Sequence, residues 1–180
     1  MLKGIFMKLI LIGIQGAGKS TQGSLLSKKL QIPYLSSGHV FRQMSRENRW
    51  IKEILASGRL VPDKTVLKII SQYLAKPEYE NGYILDGFPR TVTQAKQFKN
   101  GVEKVILLNV SDKEALWRIS GRSDERDDET LQAIRKRIGL FHKETEPVID
   151  FYKEQGKILS VDGEKDIDKV FSQICKGLKI

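Results

Sequence analysis

The most constraining feature of this chain is the segment LILIGIQGAGKST at residues 9–21, where an apolar stretch runs directly into a glycine-rich loop. From Gly13 to Ser20 the loop has the spacing Gly-x-x-x-x-Gly-Lys-Ser. Glycines permit the turn that points successive backbone N–H groups at phosphate oxygens. A helix beginning near Lys19 adds its positive N-terminal end. The segment therefore predicts a strand, a loop that holds a nucleoside triphosphate, and a helix, in that order.

Two side chains of this loop have distinct predicted roles. Lys19 is expected to reach the β- and γ-phosphates as a mobile point charge. The hydroxyl of Ser20 is expected to ligate Mg²⁺, the cofactor that this type of loop requires. These expectations make Lys19 a candidate catalytic residue and Ser20 a candidate metal ligand.

A second motif, GYILDGFPRTVTQA at residues 82–95, places Asp86 at the end of an apolar run. Because ligands of parallel α/β sheets bind at the carboxyl ends of the strands, this carboxylate is well placed to order the waters around Mg²⁺. The residues from Gly87 to Arg90 then turn the chain and bring an arginine to the same edge. The two motifs together indicate one site for a nucleotide and its metal.

The predicted fold class is α/β. Strand patterns alternate with helical patterns, which favours a parallel sheet covered by helices on both faces. Two stretches break the alternation: residues 36–75, which hold several short helical patterns, and the polar segment 120–128. Both are candidates for mobile elements over a site. The strands themselves are expected at 9–13, 33–36, 83–86, 104–110 and 158–162.

Two apolar stripes with helical spacing support this fold. One is expected to follow a cap at Asp166, and the other to begin at the acidic turn 127–129. The first stripe contains Ile167, Val170, Phe171, Ile174 and Leu178, and the second contains Leu131, Ile134, Ile138 and Phe141.

Composition narrows the classes of function. A length of 180 residues fits one domain. The net charge of +9 calls for an anionic partner, but the basic residues are spread along the chain and show no nucleic-acid motif. A single cysteine fits a reducing compartment, and no apolar run approaches a membrane span. We expect a cytoplasmic protein that binds neither membrane nor nucleic acid.

The chain resembles the adenylate kinase family over nearly its whole length. The resemblance rests on the glycine loop, on LSSGHVFR (35–42), on GRLVPD (58–63), on DGFPRT (86–91) with Gln94, and on the segment 121–152. It implies an ATP:AMP phosphotransferase with a five-stranded parallel sheet in a single domain, residues 1–180. It also implies an AMP-binding insertion at 36–65 and a short lid at 120–128, and we expect a monomer.

The resemblance also assigns site residues by their positions in these motifs. ATP would be held by Gly16, Ala17, Gly18, Lys19, Ser20, Thr21, Arg122 and Lys165, and AMP by Ser37, Arg42, Arg59, Leu60, Val61, Gly87, Phe88, Pro89, Arg90, Gln94, Arg126 and Arg137. The expected catalytic residues are Lys19, Asp86, Arg90, Arg122, Arg126 and Arg137, with Ser20 and, through water, Asp86 at Mg²⁺.

The residue chemistry agrees with this assignment, since phosphoryl transfer depends on positioning and on charge neutralisation. Arg42 and Arg90 suit a bidentate grip on an acceptor phosphate. Arg126 and Arg137 are eleven positions apart, so a helix beginning near residue 127 would turn both to one side. The amide of Gln94 can donate and accept, and is therefore expected to read an adenine edge.

Three departures from the family pattern matter. Gln15 stands where the family has proline, and Ser20 where it has glycine. His39 replaces an aspartate that supports the hydration shell of the metal, so weaker handling of Mg²⁺ is expected. The short lid predicts raised hydrolysis of ATP in the absence of an acceptor. Two alternatives stay open, namely a UMP/CMP-type kinase and a nucleotide-binding protein with weakened catalysis.

Overall fold

A five-stranded parallel sheet lies at the centre of the molecule, as the alternating patterns predict. The computed structural model describes residues 6–121 and 130–180. The strand order is β2-β3-β1-β4-β5. The strands are β1 (Met7–Ile12), β2 (Tyr34–Ser36), β3 (Gly82–Asp86), β4 (Lys104–Asn109) and β5 (Ile158–Asp162). Each expected strand is present, with bounds shifted by at most two residues.

Helices connect these strands and cover both faces. A 3₁₀ turn (Pro77–Tyr79) precedes β3, and a π-helical turn (Phe141–Thr145) joins α7 to α8. The helices are α1 (Lys19–Leu30), α2 (Ser37–Ser45), α3 (Arg49–Ala56), α4 (Asp63–Leu74), α5 (Val92–Gln97), α6 (Asp112–Ser120), α7 (Leu131–Leu140), α8 (Glu146–Lys153) and α9 (Ile167–Leu178).

The central strand divides its side chains between two hydrophobic cores. Leu9 and Leu11 point to one face, where α1 and α9 pack through side chains such as Ile174. Ile10 and Ile12 point to the other, where the core includes Phe88 and residues of α4 and α8. The four side chains from Leu9 to Ile12 are at most 3 % exposed. A strand buried on both faces has a continuous apolar sequence, which is how residues 9–12 read.

Two details of the helices differ from expectation. Thr130 caps α7 by accepting a hydrogen bond from Ala133 N (3.1 Å), so this helix begins at Leu131 and not at residue 127. The helical-turn argument that placed Arg126 beside Arg137 therefore loses its basis. Leu131 is 57 % exposed and lies outside the buried stripe. Asp166 occupies the position before α9, but its carboxylate pairs with Lys169 Nζ (2.8 Å) and caps no backbone N–H.

The topology directs attention to one edge of the sheet. From β1 the chain continues to β2 and β3 on one side, and from β3 it crosses to β4 and β5 on the other, so the direction of the connections reverses beside β1. A crevice forms at such a point in open α/β sheets, and ligands bind there. In the part of the chain that the structure describes, no helix has the length and apolar character needed to cross a membrane.

Candidate active site

A cleft of about 640 Å³ lies at the carboxyl ends of β1 and β3. The glycine loop forms one wall, and the segment after β3 forms another. Helices α2 and α3 and the end of α7 complete it. Among the expected site residues, those that line the cleft are Gly16, Gly18, Lys19, Ser20, Arg42, Arg59, Leu60, Asp86, Gly87, Pro89, Arg90 and Arg137.

The glycine loop presents the positive end of α1 to this cleft. Gly16 and Gly18 adopt positive φ angles of 95° and 87°, a conformation that other residues rarely take. Gly18 stands at the start of α1, and neither a side-chain cap nor an acidic residue occupies the first turn. Within the described part of the chain, the N-terminal N–H groups of α1 thus have no side-chain cap and no acidic residue beside them in the first turn, an arrangement that suits an anion.

Lys19 folds back over the loop. Its Nζ donates to the carbonyl oxygens of Gly13 (2.7 Å) and Ile14 (2.9 Å). These bonds hold the ammonium group at the base of the cleft, next to the turn that would surround a phosphate chain. The lysine therefore stabilises the loop and supplies its charge to the same place.

Three arginines from separate elements meet in the cleft. Arg42 comes from α2, Arg90 from the turn after β3, and Arg137 from α7. Burial lowers the pKa of Arg90 from its ordinary value, the carboxylate of Asp86 opposes that change, and the charges of Arg137 and Arg42 reinforce it. The guanidinium starts so far above neutral pH that it stays charged. Cations brought this close together make a site for a polyanion.

Backbone contacts hold Arg90 in place. Its Nε donates to Gly87 O (2.8 Å), and Thr145 Oγ1 donates to the carbonyl oxygen of Arg90 (3.0 Å). The buried hydroxyl of Ser37 donates to the same Gly87 oxygen (2.8 Å). The turn after β3 is thus tied to α2 and to the π-helical turn. Both ties fix the direction in which the guanidinium enters the cleft.

Asp86 ends β3 and is only 7 % exposed. Its Oδ2 accepts a hydrogen bond from the hydroxyl of Tyr34 (2.6 Å). Its Oδ1 is buried and has no hydrogen-bond partner among the described residues. Burial and, next, the charge of Asp86 raise the pKa of Tyr34, so the phenol remains a donor. A buried oxygen with no partner beside a phosphate-binding loop suits the hydration shell of a divalent cation.

The donor set therefore fits a magnesium ion held mainly by nucleotide phosphates and water. Ser20 lies at the start of α1, is exposed, and lines the same cleft as Asp86. These two residues would hold the ion, Ser20 directly and Asp86 through water.

The end of α3 and the turn after it contact α7. Arg137 donates through a guanidinium nitrogen to Leu55 O of α3 (2.8 Å). Gly58 approaches the backbone of α7 so closely that a Cβ atom built on it would lie 2.7 Å from Ala133 O. The expected acceptor-binding insertion and the arginine-bearing helix therefore touch at two points.

Several expected acceptor-binding residues lie behind the cleft wall. Val61 and Phe88 are buried in the hydrophobic core. Gln94 is 1 % exposed, and its amide donates to Asp63 Oδ1 (2.8 Å) and accepts from Arg90 N (2.8 Å). In this arrangement Gln94 supports the turn that carries Arg90.

Only some of the residues expected to bind ATP lie together in the cleft. Ala17 is buried under the loop, Thr21 is exposed on α1, and neither lines the cleft. Lys165 lies in the loop after β5, where it pairs with Asp162 (3.6 Å), also outside the cleft lining. Arg122 and Arg126, expected at ATP and at the transferring phosphate, lie outside the described residues.

The structure also adds residues to the cleft that the sequence patterns do not single out. Tyr34 is the main addition, because its hydroxyl donates a hydrogen bond to Asp86 on the neighbouring strand. Such a contact leaves no local signal in the sequence. Lys52, Tyr73, Tyr79 and Thr145 also line the cleft.

Comparison with known proteins agrees with this geometry. The family model for adenylate kinase matches residues 11–157. An adenylate kinase of Encephalitozoon cuniculi is 38 % identical over 178 residues, which covers 97 % of this chain and 99 % of the relative. An adenylate kinase of Listeria monocytogenes is 34 % identical over 96 % of this chain and 99 % of its own. One from Caldicellulosiruptor bescii is 31 % identical over 97 % and 100 %.

Proposed function

The chain belongs to the adenylate kinase family, and from that premise we propose that the described cleft transfers a phosphoryl group from ATP to AMP to give two ADP. The protein is thus a nucleoside monophosphate kinase. The observation that carries the proposal is the meeting of Lys19, Arg42, Arg90 and Arg137 from separate elements around one cleft.

The two nucleotides take opposite walls of this cleft in our proposal. The loop from Gly13 to Ser20, with the positive end of α1, holds the phosphates of ATP. Arg42 and Arg90 hold the phosphate of AMP, since a planar guanidinium matches phosphate oxygens in pairs. The expected roles of Arg122 and Lys165 on the ATP side and of Arg126 and Gln94 on the AMP side remain part of this proposal.

The reaction then needs little covalent help from the protein. An oxygen of the AMP phosphate forms a bond to the γ-phosphorus of ATP, and the bond from that phosphorus to the β–γ bridging oxygen breaks. Lys19, Arg90 and Arg137 neutralise the charge that spreads over the equatorial oxygens. The chemistry requires no general base, because an ionised phosphate is itself the nucleophile.

A divalent cation belongs to this reaction, and we propose that it is Mg²⁺. When bound, it neutralises charge on the β- and γ-phosphates. Ser20 and Asp86 are the residues of this chain that would hold it, the latter through water. Support comes from the buried, unpartnered Oδ1 of Asp86.

The organisation of the chain is part of the same proposal. In it, residues 36–65 form the AMP-binding insertion within a single domain, and residues 120–128 a short lid, of which 122–128 lie outside the described residues. The contact of α3 with Arg137 supports the first assignment, because it brings the insertion to the cations of the cleft. We further propose a monomer that acts in the cytoplasm, in line with its single cysteine.

One assay tests the function and its alternatives. Purified protein is given ATP and Mg²⁺ with AMP, UMP, CMP, dTMP or GMP in separate reactions, and ADP is measured. We expect AMP to be the preferred acceptor. Preference for UMP or CMP would identify a pyrimidine nucleotide kinase instead. Binding of ATP and AMP without transfer to any acceptor would identify a nucleotide-binding protein with lost catalysis.

A further inference from the structure

The cleft is rich in positive charge and poor in negative charge. Among the described residues that line it, Asp86 is the only aspartate or glutamate, whereas six are lysine or arginine. His39 of α2 also lines the cleft and adds no carboxylate. Any carboxylate support that the described part of this cleft gives to the hydration shell of a metal must therefore come from Asp86.

Tyr34 controls how that one carboxylate is presented. Its hydroxyl donates to Asp86 Oδ2 at 2.6 Å, which leaves Oδ1 as the oxygen that has no partner among the described residues. A phenol is uncharged at neutral pH. It therefore holds the carboxylate by a hydrogen bond that brings no positive charge of its own, whereas an arginine or lysine in the same place would neutralise it.

Room for this tyrosine is made by a glycine in α1. A Cβ atom built on Gly23 would overlap the ring of Tyr34, at Cε2 and Cδ2. Glycine inside a helix costs about 1 kcal/mol relative to alanine, so its presence at this position calls for a reason. The reason visible here is the aromatic ring packed against the helix backbone.

We propose that Tyr34 is a positioning residue, which acts through Asp86 to orient the hydration shell of the metal that accompanies ATP. The inference rests on the proposed function, because it assumes that a metal–nucleotide complex occupies the cleft. Partners that orient a metal-supporting side chain commonly contribute about 10-fold to 100-fold in metal affinity or activity. Tyr34 would do so in a cleft whose described lining offers one carboxylate.

The test compares wild type with Tyr34→Phe, which removes the hydroxyl alone. Calorimetry gives the affinity for β,γ-imido-ATP with Mg²⁺ and with EDTA. We expect the gain in affinity that Mg²⁺ confers to fall about tenfold, while the affinity in EDTA stays unchanged. In the transfer assay, kcat should fall by a similar factor and the KM for AMP should not change.

Two controls separate positioning from stability. Tyr152→Phe removes another buried hydroxyl, one that has no partner among the described residues and does not line the cleft; it should leave both readouts unchanged. In an Asp86→Asn background, Tyr34→Phe should have no further effect on the Mg²⁺-dependent gain. An independent effect there would show that Tyr34 does not act through the carboxylate.

A second perturbation keeps the test decisive if Tyr34→Phe does not fold. Gly23→Ala displaces the ring and should reproduce the loss of Mg²⁺-dependent affinity. Gly139→Ala adds a Cβ to the interior of another helix where the space is open, and should not. A Mg²⁺-dependent gain unchanged within about twofold in both Tyr34→Phe and Gly23→Ala overturns the proposal. Failure of wild type to phosphorylate AMP, with that gain intact, would instead overturn the proposed function.

Discussion

The charge on Lys19 acts on two parts of the cleft at once. Its ammonium group binds the carbonyl oxygens of Gly13 and Ile14 and is placed to meet a phosphate chain. Lys19→Met should lower kcat for transfer to AMP about 100-fold to 1000-fold, the usual cost of removing one group that stabilises transition-state charge. Steady-state ADP formation measures this.

Lys28→Met is the matched control for that variant. It removes the same charge from the last turn of the same helix, far from the loop. Its kcat should equal that of wild type. Equal activity of Lys19→Met and Lys28→Met would show that the loop does not hold the transferring phosphate.

A substitution of His39 tests how an added negative charge in the cleft changes the requirement for Mg²⁺. It lines the cleft on α2, where an aspartate would add a second carboxylate to the described lining. His39→Asp should therefore lower the Mg²⁺ concentration that gives half-maximal transfer, by about threefold to tenfold, since an added charge near a cation contributes about 1 kcal/mol. His39→Asn, which changes shape without adding charge, should not. A titration of transfer rate with Mg²⁺ that is the same for both variants contradicts the idea.

For single residues, the sequence predicts roles that depend on neighbouring residues in the chain. It misses roles that depend on partners far away in the chain. The glycine loop carries its own spacing, so Lys19 and Ser20 can be found by inspection. Tyr34 meets Asp86 only because β2 lies beside β3 in the sheet. For Gln94, the sequence singles out the residue but not its partner Asp63, which lies 31 residues earlier, in α4.

The proposed AMP-binding insertion, residues 36–65, contacts α7 at Gly58. Gly58 takes a φ of 68° and leaves no space for a Cβ beside Ala133 O. Gly58→Ala should push α3 away from Arg137 and raise the KM for AMP several-fold, about 1 kcal/mol in binding, with the KM for ATP little changed. Initial-rate kinetics with each substrate varied in turn measure both constants.

Gly101→Ala distinguishes this contact from simple backbone strain. Gly101 has the same φ of 68°, but a Cβ there meets no atom within 4 Å. Both variants should lose stability by about 1 kcal/mol from strain. Only Gly58→Ala should change the KM for AMP. A similar rise in both variants would assign the effect to stability alone.

A histidine between two carboxylates links α6 to the start of α8. His142 Nδ1 lies 2.6 Å from Glu146 Oε1, and Nε2 lies 2.9 Å from Asp112 Oδ1. These hydrogen bonds, Glu146 first, raise the pKa of His142 above its ordinary value. A raised pKa in the folded state stabilises the fold fully below about pH 6.5, the unfolded value, and this contribution is lost as the pH rises through the folded value.

The difference in the free energy of unfolding between wild type and His142→Gln should therefore be present at about pH 6 and shrink toward about pH 9. Urea unfolding at several pH values measures it. Lys143→Gln, which changes an exposed neighbouring charge, should give a difference that does not vary over this range. A constant gap for His142→Gln would show that its protonation does not hold the two helices together.

Elements were predicted where a local residue pattern or motif marks them. The strand from Ile158 to Asp162 matches its expected bounds, and α1 begins at Lys19 as the glycine loop requires. The predicted start of α7 was wrong, because the side chain of Thr130, and not the acidic turn, supplies the cap. Capping depends on which side chain reaches a free N–H, and neighbouring polar residues compete for that position.

At the scale of the whole molecule, one sheet joins the two hydrophobic cores. β1 contributes alternate side chains to each core, so neither face can lose its packing without exposing the same strand. The cleft opens at the carboxyl end of that strand, and its walls come from elements on both faces. Binding of a nucleotide at this edge should therefore raise the free energy of unfolding of the whole fold.

This coupling predicts a single thermal unfolding transition that shifts as a unit when ligand binds. At 100 times its dissociation constant, β,γ-imido-ATP with Mg²⁺ adds about 2.7 kcal/mol of stability, which for a chain of this size raises Tm by about 5–10 °C. Differential scanning calorimetry measures both the number of transitions and the shift. Lys28→Met should shift as wild type does, whereas Lys19→Met should shift less, because the phosphate chain loses its lysine. Two separate transitions, with only one of them responding to the nucleotide, would mean that the acceptor insertion or one face of the sheet unfolds on its own and that the cleft is built on two independent units.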